Sequence, residues 1–172
     1  MYCTTLDPST TKEGKIYSNL CRSFPTTSIR GHKYIYLIYF YDCNAILTTS
    51  MKNRSYKEMI RAFTSFTEDL KSQGINPGFH FMYNEASNAL NLIMTTMNIK
   101  YQLVPPRNHR ANNAERAIQK FKNHFIVGLC IVDKYFHIKL WDRILQQETI
   151  SLNLLRQSRT LPYISAYTHI FG

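Results

Sequence analysis

The sequence predicts an α/β protein built on a mixed five-stranded sheet, an antiparallel meander plus two further strands, flanked by helices. Three observations carry this. Strand-like segments follow one another closely between residues 15 and 51, joined by turn-rich connections. A strongly amphipathic helix comes next. Beyond it, two more strand-like segments alternate with helical ones, as crossover connections in a layered α/β fold require.

Residues 1–14 carry Asp7, Pro8, Gly14 and a Ser/Thr cluster and are expected to be a mobile lead-in to a domain over 15–172. The segment "KIYSNLCR" (15–22) reads as the first strand, and Pro25 and Gly31 place a loop after it. "YIYLIYFY" (34–41), rich in aromatic and β-branched residues, reads as a central strand. After "DCN", the segment "AILTTSM" supplies the third. In "SYKEMIRAFTSFTEDLKSQG", Tyr56, Met59, Ile60, Phe63, Phe66 and Leu70 recur at helical steps and form one apolar stripe. Ser55 with Glu58 forms a capping box, and Gly74 is the stop. "FHFMY" then predicts a strand, 86–97 a short helix, and "IKYQLV" the last strand. Two prolines make "PPRNHRANN" a loop. From Asn113 the pattern is helical, with Ala114, Ala117, Ile118, Phe121, Phe125 and Leu129 inward. A final helix is expected from about His137 to Arg156, with Leu140, Trp141, Ile144, Leu145, Leu152 and Leu155 inward.

Composition narrows the partner. The chain carries 21 Lys+Arg against 11 Asp+Glu, a formal charge of +10, which suits a polyanion, most simply nucleic acid. A basic surface with no specific ligand is the competing reading. Cys3, Cys21, Cys43 and Cys130 lie far apart with no C-x-x-C pair, so zinc-ribbon and thioredoxin-type motifs are excluded. They predict reduced thiols and an intracellular location, the nucleus being compatible with a DNA partner. The polar N-terminus lacks the apolar core of a secretory signal, and "YIYLIYFY" is too short to span a bilayer, so no membrane partner is expected. No small-molecule substrate is expected either. The six histidines are scattered and suggest no metal site.

Four landmarks, "YSNLCRSFP", "FMYNEAS", "VPPRNHRANNAERAIQKFKNHF" and "LWDRILQQETISLNLLR", fall in order on the predicted elements. Together they make the chain similar to the catalytic core of retroviral and copia-type retrotransposon integrases, over roughly residues 15–172. The resemblance implies a ribonuclease-H-like fold, DNA as partner, homodimerisation, and Mg²⁺ or Mn²⁺ as cofactor. It also implies a site of two aspartates and a glutamate performing DNA strand transfer. Integrases of this family also bring a zinc-binding N-terminal module and a C-terminal DNA-binding module, and neither is expected in this sequence.

Phosphoryl transfer adds charge to an already anionic phosphate, so two divalent cations held by carboxylates suit it. By resemblance the first aspartate falls on Asn19, the second on Tyr83 and the glutamate on Glu115. Asn19 keeps a ligating oxygen but no charge. Tyr83 is longer than aspartate, and a phenol of reference pKa about 10 is neutral near pH 7. One carboxylate remains of three, and the metal is expected to bind weakly at most, through Glu115. The chain is therefore expected to be a pseudoenzyme. The alternative is an active metal-dependent polynucleotidyl transferase or nuclease in which Glu85 or Asp42 supplies a replacement carboxylate. Against it, Glu85 suits the start of a helix and Asp42 suits a turn.

The resemblance also places the helix at Glu115 against DNA. Glu115, Gln119 and Lys122 share one helical face. Lys122 is expected to meet a phosphate and Gln119 a base or sugar. Arg107, His109 and Arg110 sit on the preceding loop, and Arg116 and Lys120 complete the basic surface. The bland reading is a solvated polar face of the kind every surface helix has. Trp141 reads as a core or interface aromatic. Tyr34 and Tyr36 share a strand face that either stacks bases or packs under a helix.

Overall fold

Seven consecutive residues with bulky apolar or aromatic side chains, Tyr34–Phe40, can satisfy both faces of a strand only at the centre of a sheet covered on both sides. The computed structural model, which describes residues 14–83, 91, 94–104 and 113–172, places them there. The strands are β1 (Gly14–Leu20), β2 (Tyr34–Phe40), β3 (Ala45–Met51), β4 (Pro77–Tyr83) and β5 (Lys100–Val104). Their order across the sheet is β3-β2-β1-β4-β5. The meander β1-β2-β3 is antiparallel, and β4 and β5 add in parallel beside β1. The helices that lie wholly within the described residues are α1 (Tyr56–Ser72), α2 (Asn113–Ile131), α3 (Trp141–Leu154) and α4 (Ala166–Phe171).

The alternation of side chains along β2 sorts two cores. Tyr36, Ile38 and Phe40 face α1 and α4, meeting Met59, Phe63, Phe66, Leu70 and Ile170. Ile35, Leu37 and Tyr39 face α2 and α3, meeting Ala117, Phe121, Phe125, Trp141 and Leu145. The result is three layers with the sheet in the middle. Trp141 is a core residue, fully buried, its indole N–H donating to the Thr26 carbonyl at 2.8 Å. Tyr36 packs under α1, its ring 6.3 Å from that of Phe66.

Several expectations need correction. Gly14, counted with the lead-in, is the first residue of β1, and a Cβ there would meet the Phe40 ring at 2.8 Å. Residues 1–13, most of that lead-in, lie outside the described residues, as does most of the helix expected over 86–97, of which 91 and 94–96 are helical. The capping box is only half formed. Ser55 accepts from the Glu58 N–H, but the Ser55 N–H donates to Asn53 at 2.9 Å while Glu58 turns to Arg61. Tyr56 leaves the apolar stripe, 55% exposed at the first helical position, where the chain has not yet reached the sheet. Gly74, at φ +75°, ends the helix as expected, in a conformation that disfavours a side chain.

The helix expected over 137–156 is a 3-10 turn at Ile138–Leu140 followed by α3. Leu155 is 79% exposed, and the inner face carries Asp142, Thr149 and Asn153 beside Leu145. These polar side chains have partners. Asn153 accepts from the Ile46 N–H at 2.9 Å and donates to the Ile46 carbonyl at 2.7 Å. Thr149 and Thr48 share a hydroxyl–hydroxyl bond. Asp142 accepts from Ser28 and Arg30, and lies 2.9 Å from the His32 ring. α3 thus meets β3 through hydrogen bonds at Thr48 and Ile46 as well as through the apolar packing of Trp141 and Leu145.

Candidate functional site

In an open α/β sheet the carboxyl ends of adjacent parallel strands make the natural crevice for a site. β1 and β4 are such a pair, in register at Tyr17 and Phe81, whose rings stack at 4.6 Å. Two residues further along each strand, the same register sets Asn19 level with Tyr83. Both therefore lie near the carboxyl ends of neighbouring strands. Glu115 is in the first turn of α2, half-buried, on the helix that covers β1 and β2.

The Asn19 amide oxygen accepts the Leu20 N–H at 2.7 Å, so this neutral group already spends a lone pair on the backbone. One residue past β1, Cys21 is buried, and burial pushes its thiol up to about 11 against the opposing pull of the Lys122 ammonium. That pull locates the Lys122 charge near the same strand end. Gln119 is exposed and donates to Asn123 at 3.0 Å. Arg116 and Lys120 turn toward a separate cleft beside Tyr39 and Tyr41. Arg107, His109, Arg110 and Glu85 lie outside the described residues.

Asp42 does not reach the site. Its carboxylate accepts the Lys15 N–H at 3.2 Å, and Tyr41 bonds the Lys15 carbonyl, so it sits at the opposite end of β1. Four residues of strand separate Lys15 from Asn19, about 13 Å. Its main-chain carbonyl meanwhile accepts from Arg159 and Thr160, which fixes the turn there.

At the three positions that the resemblance singles out, the donors do not fit a pair of divalent cations. Asn19 offers a neutral amide oxygen and the residue at position 83 is a phenol, leaving Glu115 as the one carboxylate of the three positions. Among the described residues, no three His, Cys, Asp or Glu side chains gather into a group able to hold a metal. Beneath the site, Ser18 bonds the His80 ring at 2.7 Å and also the Tyr36 phenol. Burial there holds His80 down at about 3, a neutral imidazole stacked on Phe63. No helix among the described residues is long and apolar enough to cross a membrane.

Two arginines carry no clear signal in the sequence. Arg156 and Arg159 flank Tyr39 and Tyr41 from a segment over a hundred residues away. Their i, i+3 spacing in "LLRQSR" is the available pattern, and it marks only a helix end.

No family model matches the chain, and no curated protein matches it. Solved structures do. The chain is similar to a simian T-cell lymphotropic virus intasome in complex with a PP2A regulatory subunit, at TM-score 0.72 and 12% identity, covering 92% of this chain and 54% of that one. It thus spans about half of that viral chain. The catalytic core domain of BIV integrase matches at TM-score 0.66 and 11% identity, over 91% of this chain and 92% of that one. The HTLV-2 integrase core in complex with magnesium matches at TM-score 0.66 and 16% identity, over 92% and 95%. The chain has the ribonuclease-H-like fold of integrase catalytic cores.

Proposed function

We propose that the chain is a transposon-derived, integrase-core-like domain that has lost the metal chemistry of similar proteins and binds DNA through its basic surface. The observation that supports this is the donor set at the adjoining ends of β1 and β4. A neutral amide and a phenol stand where carboxylates would be needed to hold two cations beside an anionic phosphate. An HTLV-2 core of the same fold is described in complex with magnesium, which makes the substitutions at Asn19 and Tyr83 the informative difference. Without paired cations, strand transfer loses a Lewis-acid contribution of several kcal/mol, on the order of a thousandfold or more in rate. The net charge of +10 and Lys122 near the strand ends favour retained phosphate binding, which sets affinity without reading sequence. Self-association belongs to the same reading, since the HTLV-2 core is described in dimeric and trimeric forms.

The test has two arms. Fluorescence anisotropy with a duplex of arbitrary sequence should show binding that weakens steeply with salt. Divalent-dependent nicking and joining should be absent in the natural chain and emerge only when Asn19→Asp and Tyr83→Asp are combined. Equal activity in the unmodified chain would overturn the loss of chemistry. Salt-insensitive or absent DNA binding would overturn the second half of the proposal.

A further inference from the structure

The cleft beside Tyr39 and Tyr41 collects charge that the strand-end site does not use. It has a volume of about 240 Å³ and lies where α2, the turn after β2 and the segment after α3 meet. Arg116 and Lys120 reach it from α2, one helical turn apart, and Arg156 and Arg159 from the opposite side. Among the described residues no carboxylate lines it, so four formal positive charges face one small space.

The two arginines are held in place. Arg156 donates through Nε to the Asn44 carbonyl at 2.7 Å and through its other end to the Asn44 side chain at 2.5 Å. Arg159 donates to the Tyr39 hydroxyl at 2.9 Å and lies 4.3 Å over the Tyr41 ring. The Tyr39 hydroxyl in turn donates to Asn44 at 2.9 Å. Burial chiefly, and the neighbouring Arg159 charge, keep the Arg156 guanidinium below its ordinary pKa, although the Tyr39 phenol opposes the shift; Arg159 is shifted the other way, its burial outweighed by the bond to Tyr39 and the charges of Tyr39, Tyr41 and Asp42. The two guanidinium groups are thus fixed side by side before any anion arrives.

We propose that this cleft is a phosphate-binding site, in which Arg156 and Arg159 form a preset guanidinium floor and Arg116 and Lys120 close on the bound oxyanion from α2. Its volume lies below the roughly 300–1,000 Å³ of sites for drug-sized ligands. It suits a single phosphate group, with planar guanidinium forks matched to the oxygens. Tyr39 pairs with Tyr17, two residues before Asn19, so the cleft lies on the same sheet face as the strand-end site, toward the start of β1. The group is either a backbone phosphate of a nucleic acid or a free polyphosphate, and the two sources share this chemistry. The inference goes beyond the DNA-binding proposal and does not depend on it.

Isothermal titration with inorganic pyrophosphate tests it directly. The natural chain should bind saturably. An Arg116→Gln/Lys120→Gln pair should bind about tenfold more weakly, two charge-assisted bonds being gone. A Lys57→Gln/Lys71→Gln pair on α1, with the same change in net charge, should bind as the natural chain does. The substituted side chains are exposed, and circular dichroism checks that each variant is folded. Competition by duplex DNA assigns the site to a backbone phosphate. The α2 pair should then flatten the log–log salt dependence of DNA binding by about 0.9 for each phosphate that is no longer neutralised. Pyrophosphate binding without DNA competition assigns it to a free polyphosphate. No saturable pyrophosphate binding, or equal weakening in both variant pairs, overturns the proposal, even where the natural chain binds DNA.

Discussion

Lowering the pH from 7 to 5 should destabilise the protein through His80. The side chain is completely buried, its ring 4.9 Å from that of Phe63 and 2.7 Å from the Ser18 hydroxyl. Burial depresses its pKa from 6.5 to about 3, so the folded protein keeps the ring neutral while the unfolded chain protonates it. Between these two values the unfolded state binds the extra proton, and stability falls as pH falls. Above pH ~6.5 both states are neutral and the effect vanishes. From pH 7 to pH 5 the loss amounts to about 2 kcal/mol, at about 1.4 kcal/mol for each pH unit below the unfolded pKa. For a chain of this size that is roughly 4–8 °C in melting temperature. Thermal melts across this range, on the natural chain and on His80→Gln, read it out. The variant is less stable throughout, but its melting temperature should decline less by that margin. Equal declines in the two proteins would refute the assignment of a buried neutral ring.

Three further outcomes follow from bonds and burial set out above. Asn153→Ala strands the N–H and carbonyl of Ile46 away from water, and chemical denaturation should show a loss of roughly 3 kcal/mol. Burial alone would raise the Asp142 carboxyl, but bonds from Arg30 and Ser28 and the Arg30 charge outweigh it and hold the pKa below the ordinary value. Its stabilisation is complete above about pH 4 and is lost as pH falls through the depressed folded value. Asp142→Asn should cost about 2 kcal/mol at neutral pH, modest because Arg30 is half-exposed, and should flatten the acid limb of the stability curve. Native alkylation should modify the exposed Cys130 well before Cys21 and Cys43, whose buried thiols are pushed up to about 11 and about 12. Rapid modification of Cys21 in the folded chain would contradict its burial.

The strands and the long helices were legible because their signals are local. The unbroken aromatic and β-branched run at Tyr34–Phe40 and the three- and four-residue steps through Phe63 and Leu70 each encode a period. The inner face of α3 was not legible. Apolar periodicity chose Leu155 and passed over Asp142, Thr149 and Asn153, whose burial depends on bonds to residues about a hundred positions away. Asn19 and Tyr83 could be placed at strand ends through the family resemblance, not from any local signal. The arginine cleft could not be, because Arg156 and Arg159 acquire their tyrosine and asparagine partners only when the chain closes around β2.

The bond pair between Asn153 and Ile46 has a consequence for how copies of this chain can meet. An outermost strand ordinarily offers its main-chain groups to any passing extended segment. Near the start of β3 those of Ile46 are occupied by Asn153 of the same molecule, and two residues on the Thr48 hydroxyl is bonded to Thr149 of α3. Strand-to-strand pairing is thereby blocked at that end of β3. A second copy approaching that end of the strand would meet the outer surface of α3 and not free main-chain groups, so the strand order that sets Asn19 beside Tyr83 would not be extended there.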